Sequence, residues 1–106
     1  MPSMWKPADA TKHINACARR DDFTISLTLH AREQMAERAL IVGDVTHVLK
    51  NGFVYDDPEK ATREGYFKYH IEGVTPNSGG RTIRLVVIPS GRHAIKIVTV
   101  MWRDDR

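Results

Sequence analysis

Residues 81–103 read RTIRLVVIPSGRHAIKIVTVMWR. Apolar side chains recur at every second position on both sides of Ser90-Gly91-Arg92, the period of a β-strand, in which successive side chains point to opposite faces. The stretch predicts two strands, Arg81–Pro89 and His93–Arg103, joined by a tight turn. A three-residue loop with a bulge pairs Leu85 with Ile97. That register puts Ile83, Leu85, Val87, Ile95, Ile97 and Met101 on one apolar face and Arg84, Val86, Lys96 and Val98 on the other. A two-residue loop would set Arg84 against Ile97, mixing the faces.

Upstream, Tyr66–Glu72 alternates as well: Phe67, Tyr69 and Ile71 alternate with Tyr66, Lys68, His70 and Glu72. The link Gly73–Gly80 carries Pro76, Asn77, Ser78 and two glycines and reads as a flexible hairpin connection. The three strands therefore form an antiparallel meander. Before it, Asp56–Arg63 reads as a polar loop.

The first half changes period. Leu29–Leu40 is rich in strong helix formers, with Thr28 as its N-cap. Leu29, Arg32, Met35, Ala36, Ala39 and Leu40 form one stripe; His30, Glu33, Gln34, Glu37 and Arg38 form the other. A second helix, Gly43–Lys50, buries Val45, Val48 and Leu49, with Gly52 in the place of a left-handed terminating glycine. Ala10–Arg20 is also helical, capped by Asp9 or Thr11, and Phe23–Leu29 is a short strand or extended lead-in. Met1–Pro7 reads as a tail or capping segment. Helices followed by a meander give an α+β fold, with N-terminal helices packed on a C-terminal antiparallel sheet of three to four strands.

The chain has 106 residues, which suits one domain (1–106) around one core, and its composition, 42% hydrophobic and 27% charged, is that of a globular protein. The single cysteine, Cys17, allows no internal disulfide and favours a reducing compartment, so a cytoplasmic location is expected. No stretch approaches the roughly 20 apolar residues of a membrane span. The net charge of +3 comes from 16 basic and 13 acidic residues interspersed along the chain, permissive for nucleic acid without a basic arm. Five histidines are scattered without metal-ligand spacing. Gly79-Gly80 lacks the lysine and helix of a phosphate loop, and no nucleophile turn is present. No cofactor and no metal are expected.

What remains is polar chemistry on one helix face and one sheet face. His30, Gln34, Glu37 and Arg38 align along the helix; Tyr66, Lys68 and His70 share one side of a strand; Arg84 and Lys96 lie on the neighbouring strands. Converged, these groups would hold a phosphodiester. Cleaving RNA without metal takes a base for the 2′-hydroxyl, an acid for the leaving oxygen and cations on the phosphorane. The bland alternatives are solvated helix charges, an edge kept soluble by Lys68 and His70, and an internal carboxylate pairing with Arg84, from Glu37 or Glu72.

The run His30-Ala31-Arg32-Glu33-Gln34-Met35-Ala36-Glu37-Arg38-Ala39-Leu40, followed by Val45, Val48-Leu49, Gly52 and the end Ile97-Val98-Thr99-Val100, resembles a small bacterial and phage domain of unknown function. That domain opens with H-A-x-x-R-M-x-E-R-G-I and is grouped with RelE- and BrnT-like toxins. Gln34 stands where its motif has arginine, removing a cation from the helix face, and Ala39 where it has glycine. Residues 1–23 lie outside the likeness.

The resemblance implies a RelE-like fold, a toxin acting on RNA or the ribosome, a small antitoxin protein as partner, and His30, Glu37, Arg38 and Thr99 as marked positions. In that reading the chain is a metal-independent endoribonuclease or a ribosome-directed factor. His30 or Glu37 would be the base, Arg38, Lys68 and Arg84 would stabilise phosphate charge, Tyr69 or His70 would donate the proton, and Lys96 and Thr99 would join Arg84 in holding RNA. The alternative is a non-catalytic interaction module of phage or host-defence origin. A DNA-binding role is disfavoured, since no helix carries a basic, base-reading face.

Overall fold

The structure, a computed structural model, describes residues 4–104. Its elements are α1 (Pro7–Ala18), β1 (Thr24–Leu27), α2 (Leu29–Glu37), α3 (Val42–Asn51), β2 (Phe53–Val54), β3 (Glu59–Lys60), β4 (Phe67–Gly73), β5 (Ile83–Pro89) and β6 (Ala94–Trp102). The sheet runs β1-β6-β5-β4-β2, with β3 also on β4. The class is α+β, as the sequence predicts, and the meander β4-β5-β6 is antiparallel throughout.

The sheet is larger than expected and mixed. β1 lies parallel to β6, Ile25 opposite Ile95 and Leu27 opposite Ile97. Four residues with alternating burial suffice to cover the first half of β6. Beyond Leu27 the chain turns into α2, and two side chains replace the missing strand: Thr28 Oγ1 donates to the Val98 carbonyl (3.0 Å), and Gln34 Oε1 accepts from the Val100 N–H (2.8 Å). Gln34 thus completes the hydrogen bonding of a buried strand. An arginine, which only donates, cannot accept this proton.

The hairpin register also differs from expectation. Leu85 lies opposite Val100, Val87 opposite Ile97, and the pairing shifts between Val86 and Val87. The turn is longer than three residues, closed by Ser90 N–H on the Ala94 carbonyl (2.9 Å), and the bulge sits inside the ladder at Val98 instead of at the turn. A bulge reverses the alternation. Val100 therefore enters the core, and Met101, expected there, does not.

One apolar cluster joins the helices to one face of the sheet, including Ile14, Ala31, Met35, Val48 and Leu49 with Tyr69, Ile71, Leu85, Val87, Ile97 and Val100. Local chemistry sets the helix ends. Thr28 caps α2, its hydroxyl accepting from Ala31 N–H (3.0 Å). α1 starts at Pro7 after Lys6, and Thr11, expected as a cap, ties the edge strand instead, accepting from Val54 N–H (2.9 Å). Ala39, just past α2, has φ 55° in the left-handed region, where glycine is at ease. This is the position at which the resembled motif carries glycine.

Gly52 has φ −80°, so its role differs from that predicted. A Cβ there would lie 2.5 Å from the Glu72 carbonyl oxygen and 2.6 Å from that of Val48; only glycine lets α3 and β4 approach this closely. The link after β4 is likewise held. Buried Asp44 accepts from Thr75 Oγ1 (2.7 Å), Asn77 Nδ2 (2.9 Å) and Ile41 N–H (2.9 Å). Burial works to raise the Asp44 pKa, but these hydrogen bonds prevail and hold it below the ordinary carboxyl value. A link that reads as flexible is therefore pinned to the start of α3.

Candidate functional site

The face of the sheet turned away from the helices carries the polar side chains. Cross-strand partners share a face, which arranges them in rows. Glu72, Arg84 and Met101 form one row, His70, Val86 and Thr99 the next, and Ile88, Lys96 and Ser26 a third. Lys68, two residues from His70 on β4, takes the same side. Five expected site residues, Lys68, His70, Arg84, Lys96 and Thr99, thus share one surface. Neighbouring strands stand about 4.8 Å apart, so β4 and β6 side chains in one row rise from backbones about 10 Å apart.

Between them, at the turn end, lies a groove of about 400 Å³. Ile88 lines it from β5, Lys68 and Tyr66 from the β4 side, and Lys96 and Thr28 from the β6 side. Arg63 completes the lining, its guanidinium 4.7 Å from the Tyr66 ring centre. Among the described residues no carboxylate lines the groove and none of Arg63, Lys68 and Lys96 has an acidic partner within ion-pair distance, the carboxylate nearest in register being Glu59, opposite Lys68 on β3. Cations that line one groove without a paired carboxylate make it favourable to an anion. Next to the groove, His70 Nε2 stands 3.5 Å from Glu59 Oε1, a carboxylate on exposed β3. This short strand lies within the segment read as a polar loop.

The other expectations resolve differently. Tyr69 cannot donate a proton to RNA: it points into the core, is 2% exposed, and its hydroxyl accepts from Trp5 N–H (2.9 Å). Burial raises its pKa further. The reason is parity, which places Tyr69 with Phe67 and Ile71 and opposite to Lys68 and His70. Arg84 is a structural ion pair: its Nη2 and Nε lie 2.8 Å and 2.9 Å from Glu72 Oε2, and Arg103 Nε lies 3.4 Å from Oε1. The Glu72 side chain is 7% exposed, so this is the internal pairing with Glu72. Arg38 caps the end of α2, donating to the Gln34 carbonyl (3.2 Å). His30 and Glu37 are exposed on α2 and do not line the groove. None of His30, Gln34, Glu37 and Arg38 lines the groove that Lys68 and Lys96 share, although Gln34 reaches the Val100 N–H on β6.

Tyr66, grouped in sequence with Lys68 and His70 by strand parity, lines the groove, and one further cation there escaped selection. Arg63 lies in a turn and carries no periodic signal; only its closeness to Tyr66 hints at the stacking. Among the described residues no group of three His, Cys, Asp or Glu side chains is placed to hold a metal ion. No described helix is long and apolar enough to cross a membrane.

Residues 27–102 match a family described as a domain of unknown function, DUF4258. The chain belongs to this family. The DUF4258 match begins at the end of β1 and closes at the end of β6, so the basic groove lies inside it and α1 precedes it. Comparison with curated proteins and with solved structures found no match.

Proposed function

We propose that this DUF4258 chain is a toxin-type RNA-directed protein of the RelE/BrnT kind, holding the RNA backbone in the groove formed by Arg63, Lys68 and Lys96. The observation carrying the proposal is the grouping of three cations in one groove without a carboxylate. Phosphate is the anion that such a row fits, since charge-assisted hydrogen bonds from lysine and arginine to phosphate oxygens are short and strong. In this reading His70 is the base for the 2′-hydroxyl, oriented by Glu59 as a carboxylate orients an imidazole in catalytic triads. Tyr66 takes the role of proton donor first given to Tyr69, and the cations stabilise charge on the phosphorane. A small antitoxin protein would silence the chain, and the cytoplasm is where both would act.

The second reading is the non-catalytic interaction module. It draws on Phe53, Tyr55 and Val74, three apolar side chains at least half exposed near the far edge of the sheet. Inducible expression in a bacterial host separates the two. The RNA reading expects growth arrest with fragmented total RNA, both lost in Lys68→Ala/Lys96→Ala. Arrest with intact RNA that persists in that variant, or no arrest, favours the module.

A further inference from the structure

A second cavity, of about 500 Å³, opens next to the basic groove, and Tyr66 and Ser90 belong to the walls of both. Its chemistry differs. Trp5, His13 and Cys17 line it from the N-terminal segment and α1, and Arg92 from the β5–β6 turn. Trp5 and His13 are stacked, ring centres 4.4 Å apart and 15° from parallel. Tyr66 adds a third ring, already carrying the Arg63 guanidinium. The mixture is planar aromatic surface with a few polar groups, continuous with the basic groove.

We propose that this cavity receives a nucleobase of the single-stranded RNA whose phosphates lie in the adjoining groove. The inference rests on the RNA reading above. Unpaired bases are recognised by stacking on aromatic rings and arginine planes, with hydrogen bonds to their edges. Tyr66 stands where the backbone would pass from one compartment to the other, and Arg92 offers donors at the rim. The cavity volume lies within the range of small-molecule sites. Burial pushes the Cys17 thiol above its ordinary pKa, which disfavours a catalytic thiolate there.

The placement explains the segment before the family domain. α1 buries Ala10, Ile14 and Ala18 in the common core, and its remaining face supplies one wall of the cavity. The DUF4258 domain supplies the phosphate groove; the segment before it supplies the base site.

Cys17 is the sole cysteine of the chain, so its alkylation reads the cavity directly. The probes are a five-nucleotide uridine RNA and the same backbone with abasic residues. The expected result is that the RNA slows alkylation of Cys17 at least fivefold at saturation, while the abasic strand, bound through the same lysines, does not. Ala16→Leu, an exposed helix position in the cavity wall, is expected to weaken the RNA at least fivefold and to leave the abasic strand unchanged. Equal affinities and equal Cys17 reactivity with both strands, with binding still dependent on Lys68 and Lys96, overturn the base site and leave the phosphate groove standing. Absence of binding by either strand overturns both.

Discussion

Replacing Arg84 by glutamine removes the main partner of a carboxylate that the fold has taken out of water. Glu72 is 7% exposed at its side chain and meets Arg84 through a hydrogen bond from Nε and an ion-pair contact with Nη2, both on Oε2; Arg103 remains at 3.4 Å on Oε1 but is 64% exposed. Breaking a buried ion pair from one side costs about 3–5 kcal/mol. The surviving arginine and the 28% exposure of Arg84 place the change at the lower end, about 3 kcal/mol. That corresponds to a fall in Tm of about 10 °C or more in a domain of this size. Urea unfolding of the parent, Arg84→Gln and Arg84→Gln/Glu72→Gln measures it. The double variant no longer strands a charge and is expected to recover at least half of the loss. RNA binding by Arg84→Gln should keep the parent's salt dependence, because its charge is already answered by Glu72. An unchanged unfolding midpoint with a weaker salt dependence would refute the ion pair and make Arg84 a phosphate ligand.

Ala39→Gly relieves a left-handed residue at φ 55° and is expected to stabilise by about 0.5–1 kcal/mol in the same unfolding assay, the gain being reduced by the greater freedom of glycine when unfolded. Gln34→Arg leaves the Val100 N–H without its acceptor and is expected to destabilise by about 1–3 kcal/mol, even though it restores the arginine of the resembled motif. Asp44, with its pKa held low in the fold, contributes stability that is present above the unfolded carboxyl pKa of about 3.9 and is lost as pH falls through the lower folded value. Unfolding midpoints measured from pH 5 downward should therefore fall more steeply for the parent than for Asp44→Asn.

The parts of the fold legible in the sequence are those governed by local period. The strand parities of β4 and β5, the cap at Thr28 and the helix α3 follow from neighbours within a few residues. The partner of β1 does not: Thr24 meets Ala94 across the whole chain, and a four-residue alternation names no partner. The bulge at Val98 is equally silent, since Lys96-Ile97-Val98-Thr99-Val100 is apolar enough to read in either register. The site divides along the same line. Lys68, His70, Arg84 and Lys96 share a face because parity places them there, whereas Thr99, of opposite parity to Lys96, joins them only through the bulge at Val98. Their separation from His30 and Glu37 depends on where α2 docks, and whether Arg84 is spent on Glu72 depends on the register of β4 against β5. Tyr69 was misassigned against its own parity, which already put it with Ile71 in the core.

The salt dependence of single-stranded RNA binding decides whether the groove holds phosphate. Each phosphate contact contributes a slope of about 0.7 to the fall of log K with log salt for a single strand. The prediction is that Lys68→Ala/Lys96→Ala, folded as the parent by circular dichroism, loses affinity and has a slope smaller by about 1.4, two contacts' worth. A slope equal to the parent's, or a parent that binds no RNA at low salt, would contradict it.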